Sequence, residues 1–332
     1  MTVLNILDYS PVDEGETAAS ALASTAELAR LADSSGYHRY WVAEHHQVYS
    51  VAGSSPEMLM MHIATLTERI RIGSGGVMLP HYSAYKVAEN FRLLEALHPN
   101  RIDLGVGRSP SFRLVNQALN ESKGRVPYEQ QLIDLEKYFT DDVDSEHRFQ
   151  KLKVTPITGT APELWLLGTG EGSAKLAAER GMAYAYAHFA RPEKAGIEVV
   201  KHYREAFNPS RIRNHPHVSV AVFAIVGETE EQAEQLAKAF DLWLLFVESD
   251  FQPPYYPSVD TAHARRLSVS EQERVARNRS RLLVGTAEQV KQQIETVAEE
   301  FGADEITIIP NISGHIHRMN TVRLLADAFG MQ

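Results

Sequence analysis

The stretch Arg39-Tyr-Trp-Val-Ala-Glu-His-His-Gln47 reads as a short buried strand, Tyr40–Ala43, that stops abruptly at Glu44, His45 and His46. An apolar run closed by three titratable side chains puts polar chemistry at a strand's carboxyl end. In parallel α/β proteins that end is where ligands bind.

The pattern on either side decides whether the sheet is parallel. Upstream, Val3–Asp8 reads as a strand and Thr17–Ser35 as a helix with Leu28, Leu31 and Ala32 on one face, followed by Gly36 in a C-cap position. Downstream, Ser55-Pro56 opens a helix, with serine as N-cap and proline at the first helical position, that ends near Arg69. Strand Ile70–Leu79, helix Ala84–Leu97 and strand Arg101–Gly107 follow. Residues 111–162 are less regular, with helical patterns and an acidic segment, Asp141–Glu146, and read as an excursion before the fifth strand, Leu164–Leu167. Helix Glu171–Arg180, strand Ala183–Ala187, helix Glu193–Phe207 and strand Val218–Val226 continue the alternation. Thr229-Glu-Glu-Gln232 and Thr286-Ala-Glu-Gln289 are capping-box sequences. Between them Asp250–Leu282 is an insertion that begins with the proline- and aromatic-rich Phe251–Pro257, and the chain closes with strand Ile306–Ile309 and helix Val322–Phe329.

Eight strands, each followed by a helix, demand a parallel sheet with helices outside it. The expectation is a single α/β domain over residues 1–332, a closed (β/α)8 TIM barrel with insertions after strands 4 and 7, in preference to an open doubly wound sheet. In the fourth strand Ile102, Leu104 and Val106 alternate with Asp103, Gly105 and Gly107. The aliphatic set faces the helices, and the glycines face the barrel, either to make room for something broad and flat or to relieve crowding.

Composition narrows the function. With 44% hydrophobic and 23% charged residues and a net charge of −10, the chain is an ordinary globular protein with no basic surface for nucleic acid or anionic membrane. No cysteine is present, which removes disulfides, thiolate metal sites and cysteine nucleophiles. Met1–Asp8 enters a strand without a basic n-region, and no apolar stretch reaches the ~20 residues of a membrane span, so a cytoplasmic location is expected.

Several stretches carry chemistry. Gly168-Thr-Gly-Glu-Gly-Ser173 leaves strand five and opens a helix, so backbone amides, the helix amino end and the Ser173 hydroxyl could hold a phosphate, although a plain turn fits the same glycines. Glu171 would then face solvent. Arg108, directly after strand four, suits a phosphate oxygen or a structural ion pair. Gly73-Ser-Gly-Gly76 indicates a bulge or a ligand lying on bare backbone. His45 and His46, adjacent on a strand end, face opposite ways and do not make a metal pair; no metal site is expected. His45 beside Glu44 is a candidate proton donor or acceptor, or else a structural histidine, and His188 is a weaker candidate of the same kind. No nucleophile elbow supports serine-hydrolase chemistry.

Taken in order, Trp41–His46, Gly73–Pro80, Gly105–Arg108 and Leu164–Gly181 resemble the bacterial luciferase-like family of flavin-dependent monooxygenases, in its stand-alone single-subunit branch. The resemblance runs in register over most of the first two hundred residues. It implies a (β/α)8 barrel, usually a homodimer, that binds reduced FMN delivered by a separate NAD(P)H:flavin reductase and uses O2 to oxygenate a small organic substrate through a flavin hydroperoxide. It implies roles as well. Gly75 and Gly76 would back the flavin ring, and Arg108, Gly170 and Ser173, with Thr169 beside them, would contact its phosphate. Glu44 and His45 would be the catalytic pair, and Phe251, Tyr255 and Tyr256 would furnish the apolar cover of a mobile lid. Gly107 stands where the light-emitting members have a cysteine, which speaks against strong light emission. Two other readings stay open: hydride transfer with the deazaflavin F420, and a flavin-binding barrel without turnover.

Overall fold

The computed structural model describes residues 2–109, 111–121, 124–143, 146–249 and 251–331. Pro110, part of the acidic segment 141–146 and Asp250, the first residue of the expected insertion, lie outside them. The strands are β1 (Val3–Asp8), β2 (Arg39–Val42), β3 (Arg71–Met78), β4 (Ile102–Gly107), β5 (Glu163–Gly168), β6 (Ala183–Tyr186), β7 (Val218–Gly227), β8 (Leu282–Thr286) and β9 (Glu305–Ile309).

Hydrogen bonding runs β6-β5-β4-β3-β2-β1-β9-β7, and β6 pairs with β7 to close the ring. All pairs are parallel. The closed eight-stranded (β/α)8 barrel expected from the alternation is therefore present. The insertion departs from expectation in one respect: its end carries a ninth strand. Ten-residue β7 is longer than its barrel partners, so Val218–Phe223 pair inside the ring with β6 and β9 while Phe223–Gly227 run on to pair with β8. The helix after β2 is also shorter than its pattern, ending at Ala64, and Ser55 makes no side-chain cap bond. Thr286 completes its capping box with Gln289, whereas Thr229 only accepts from the Gln232 amide.

Strand alternation sorts the core into two bodies. Residues facing outward, such as Ile6, Tyr40, Val42, Ile72, Ile102, Leu104, Val106 and Ile306, pack on the helices. Those facing inward form a smaller aromatic body that includes Leu7, Tyr9, Trp41, Trp165, Phe223 and Ile309. At the amino end of the strands the interior is ionic. Arg39, 3% exposed, binds Asp103 at 2.8 Å and Glu305 at 2.8 Å, and Arg71 shares Asp103. Trp41 Nε1 donates to Asp103 at 2.9 Å, and the Arg39 guanidinium lies 4.8 Å from the Trp165 ring centre. This plug closes the floor, and the aromatic layer above it leads to the mouth.

The insertion after β7 is fastened at both ends. Glu14 accepts from the Ser258 amide and the Thr261 hydroxyl, and Tyr256 exchanges backbone hydrogen bonds with Val12 and Glu14. At the far end Arg279 binds Asp241 and Glu234, and Arg281 binds Glu248. Tyr256 is fully buried, stacks on Trp243 at 5.6 Å and donates to the Asn311 carbonyl. This corrects its expected place in a mobile cover: the ring anchors the insertion to the barrel. Phe251 and Tyr255 are exposed.

Candidate functional site

At the carboxyl end of β2 the chain turns so that the three titratable residues diverge. Glu44 points behind β3, where Oε2 accepts from the Met78 amide at 2.8 Å and Oε1 from the Tyr82 hydroxyl at 2.6 Å. His46 Nε2 lies 2.6 Å from the same Oε1. His45 turns the other way, its ring edge-on to Tyr9 with centroids 4.9 Å apart and its backbone amide bonded to the Gly53 carbonyl. His45 Nδ1 is buried without a partner among the described residues. Burial, with His46 beside it, pulls the His45 imidazole down to about 4, so the ring is neutral at pH 7. The opposite facing of the two histidines is as the sequence implied, but Glu44 serves His46 rather than His45.

The glycines divide by what surrounds them. A Cβ on Gly73 would meet the Trp41 indole at 2.5 Å, one on Gly75 would meet Leu7 at 2.7 Å, and one on Gly105 would meet the Ser74 carbonyl oxygen at 2.2 Å. These three admit neighbouring interior groups. Gly76, joined to Gly75 by a cis peptide bond, is pressed against the Gly105 carbonyl, whereas a Cβ on Gly107 would meet nothing within 4 Å. Crowding thus explains most of the glycines, and free space opens only at the Gly107 end of the wall.

Across the mouth, β5 delivers Thr169 and Gly170 to the amino end of the helix Glu171–Glu179, with Gly170 in the N-cap position and both residues half-buried. The Ser173 hydroxyl donates to the Gly170 carbonyl at 2.7 Å and sits 3.1 Å from Tyr184 Oη, so it braces the turn from within. Glu171 faces solvent, as expected, and there it pairs with His202. Arg108 is exposed at the end of β4 and has no hydrogen bond or ion pair among the described residues. Arg191, which sequence reasoning missed, brings Nη1 within 3.9 Å of the place a Cβ on Gly170 would take. Its only signal was a cation shortly after strand six. Tyr82 was missed too, although it follows strand three closely. His188 packs edge-on to Phe301 on the helix side of β6, away from the mouth.

An aromatic mouth, a glycine wall with one open end, and a helix amino terminus with Arg191 beside it suit a flat ring carrying an anionic tail. Comparison with known proteins shows the family. The family model for luciferase-like monooxygenases matches residues 4–305. The chain is 46% identical to the uncharacterised Bacillus subtilis protein YwcH, with 99% of each covered. It is 37% identical to the N-acetyl-S-alkylcysteine monooxygenase of the same organism, over 99% of this chain and 98% of that one. The crystal structure of apo-MsnO8 superposes with a TM-score of 0.92 at 36% identity, covering 100% of this chain and 99% of that one. The fold alone is shared with the oxygenating constituent of 3,6-diketocamphane monooxygenase from Pseudomonas putida in complex with FMN (TM-score 0.72, 17% identity, 99% and 97% covered). It is likewise shared with an F420-dependent secondary alcohol dehydrogenase (TM-score 0.68, 16% identity, 98% and 99% covered). The chain belongs to the luciferase-like monooxygenase family and is an enzyme of that type.

Proposed function

We propose that this enzyme is the oxygenase component of a two-component system, binding reduced FMN from a separate NAD(P)H:flavin reductase and oxygenating a small organic substrate with O2. The observation that carries the reading is the meeting, at one end of the barrel, of the glycine-walled aromatic mouth with the Gly170 helix terminus, beside which Arg191 lies. Gly75, Gly76 and the open ground at Gly107 would back the ring, and Arg108, Thr169, Gly170 and Arg191 would hold the phosphate, with Ser173 keeping the turn in shape. Reduced flavin supplies the electrons that activate dioxygen. The chain's own contribution is orientation, exclusion of water by Tyr9, Phe223 and the insertion, and a proton site at His45. A neutral imidazole with an unpartnered, buried Nδ1 can accept or return a proton without competing ion pairs.

The enzyme would act in the cytoplasm as a homodimer. Exposed Met58 on the helix after β2, and Leu93 and Leu97 on the helix after β3, offer apolar area for a second copy. The name of the 37% identical relative makes thioethers the first substrates to screen.

Hydride transfer with F420 is the competing reading, since an F420-dependent enzyme shares the fold. Anaerobic titration with reduced FMN and, separately, reduced F420, followed by rapid mixing with oxygen, decides between them. Saturable binding of reduced FMN with an oxygen-dependent transient absorbance supports oxygenation. Binding of reduced F420 alone, indifferent to oxygen, overturns it.

A further inference from the structure

The Glu44 side chain is completely enclosed, and it ties together segments that the sheet leaves loose. The β2–β3 ladder ends at Val42 and Ser74, so Gly75–Met78 has no strand partner on that side. On its other side the pairing with β4 slips register between Gly75 and Val77. A bulge locally disrupts the ladder, so this segment is less supported than an ordinary barrel strand. The bond from the Met78 amide to Glu44 Oε2 replaces the missing ladder.

Two groups meet the other oxygen, His46 Nε2 at 2.6 Å and the Tyr82 hydroxyl, and of these Tyr82 is the one anchored next to the wall. Its hydroxyl donates to Oε1 at 2.6 Å, a hydrogen bond to a carboxylate and so among the stronger kinds. The tyrosine's own backbone is fixed: its amide donates to the Leu79 carbonyl, and Gln131 Nε2 donates to the carbonyls of Leu79 and Tyr82 at 3.1 and 2.8 Å. Burial, with the bond to Glu44, pushes the Tyr82 phenol well above its ordinary range, so it remains a donor across physiological pH.

We infer that Tyr82 is a positioning residue of the site: its hydroxyl fixes Glu44 on the Met78 amide and so holds the Gly75–Met78 wall of the mouth in place. That the flavin ring rests on this wall depends on the proposed function; the brace itself does not.

The test is hydrogen exchange of the full-length apoenzyme, read at the Met78 amide, in Tyr82→Phe and Glu44→Gln. Loss of one hydrogen bond to a carboxylate should speed exchange there by about tenfold or more in both, with interior β1 amides unchanged. Tyr85→Phe removes a neighbouring hydroxyl that donates to the Lys153 carbonyl at 3.3 Å, and should leave Met78 as protected as in the parent. Undiminished protection of Met78 in a folded Tyr82→Phe overturns the inference whatever Glu44→Gln does, and should Tyr82→Phe not fold, undiminished protection in Glu44→Gln overturns it. Anaerobic titration then separates the two levels. Tyr82→Phe should weaken reduced FMN and reduced riboflavin alike and shift the bound-flavin absorbance. Faster Met78 exchange with unchanged flavin affinity and spectrum would keep Tyr82 as the brace and remove the ring from the wall.

Discussion

His45 shows how a residue's chemistry follows from its packing. Its ring leans on Tyr9, and burial depresses the imidazole to about 4. Because the unfolded chain takes up that proton first, near the ordinary histidine value of ~6.5, stability from this group is complete above that pH and is lost as pH falls toward 4. An NMR titration of the His45 ring should find a midpoint near 4; one above 6 would refute the buried, neutral imidazole. His45→Ala should cut product formation by about a hundredfold or more while changing flavin affinity far less, and a parallel loss of both would remove the catalytic role. The sequence made Glu44, His45 and His46 visible because an apolar strand ends on them. It could not say which histidine the carboxylate serves, since that depends on Tyr82 and Met78, more than thirty residues away.

At the scale of elements, alternation in β4 was legible because the period of two survives any change in surroundings. Whether its glycines faced a ligand or a crowded interior was not, because Ser74 and Leu167 arrive from other strands. The contrast is measurable in urea unfolding. Gly105→Ala should cost about 1–3 kcal/mol, since backbone oxygen blocks the new methyl. Gly107→Ala should stay within about 0.5 kcal/mol. The insertion gives a similar lesson. Phe251, Tyr255 and Tyr256 look alike in a proline-rich run, yet only Tyr256 is sealed against Trp243. Tyr256→Ala should destabilise by about 3–5 kcal/mol, and Phe251→Ala by less than about 0.5 kcal/mol.

For the whole molecule, the ionic floor is what the sequence concealed most completely. Arg39, Asp103 and Glu305 are distant in the chain, and only closure of the ring makes them neighbours. Burial alone would raise the Asp103 carboxyl, but Arg39 and Arg71 outweigh it and hold the group below its usual range. Glu305 is depressed in the same way by His217 and Arg39 against its own burial. Carboxylates held low stabilise the fold above their unfolded value of ~4, and that stability is lost as pH falls below it. Asp103→Asn, which removes the buried carboxylate that Arg39 and Arg71 share, should cost about 3–5 kcal/mol at pH 7. Its urea midpoint should also vary less than the parent's between pH 5 and 3.

The doubly paired β7 has a further consequence for the continuity of the chain. Residues 265 and 266 are exposed arginines in a link without helix or strand, while the segments before and after them are bolted separately to the barrel. Beyond that link lie β8, which completes the outer ladder on β7, and β9, wedged between β1 and β7. A tryptic nick there would leave the carboxyl-terminal piece as a keystone gripped on two sides. The two fragments should elute together from a sizing column as one folded species and separate only in denaturant.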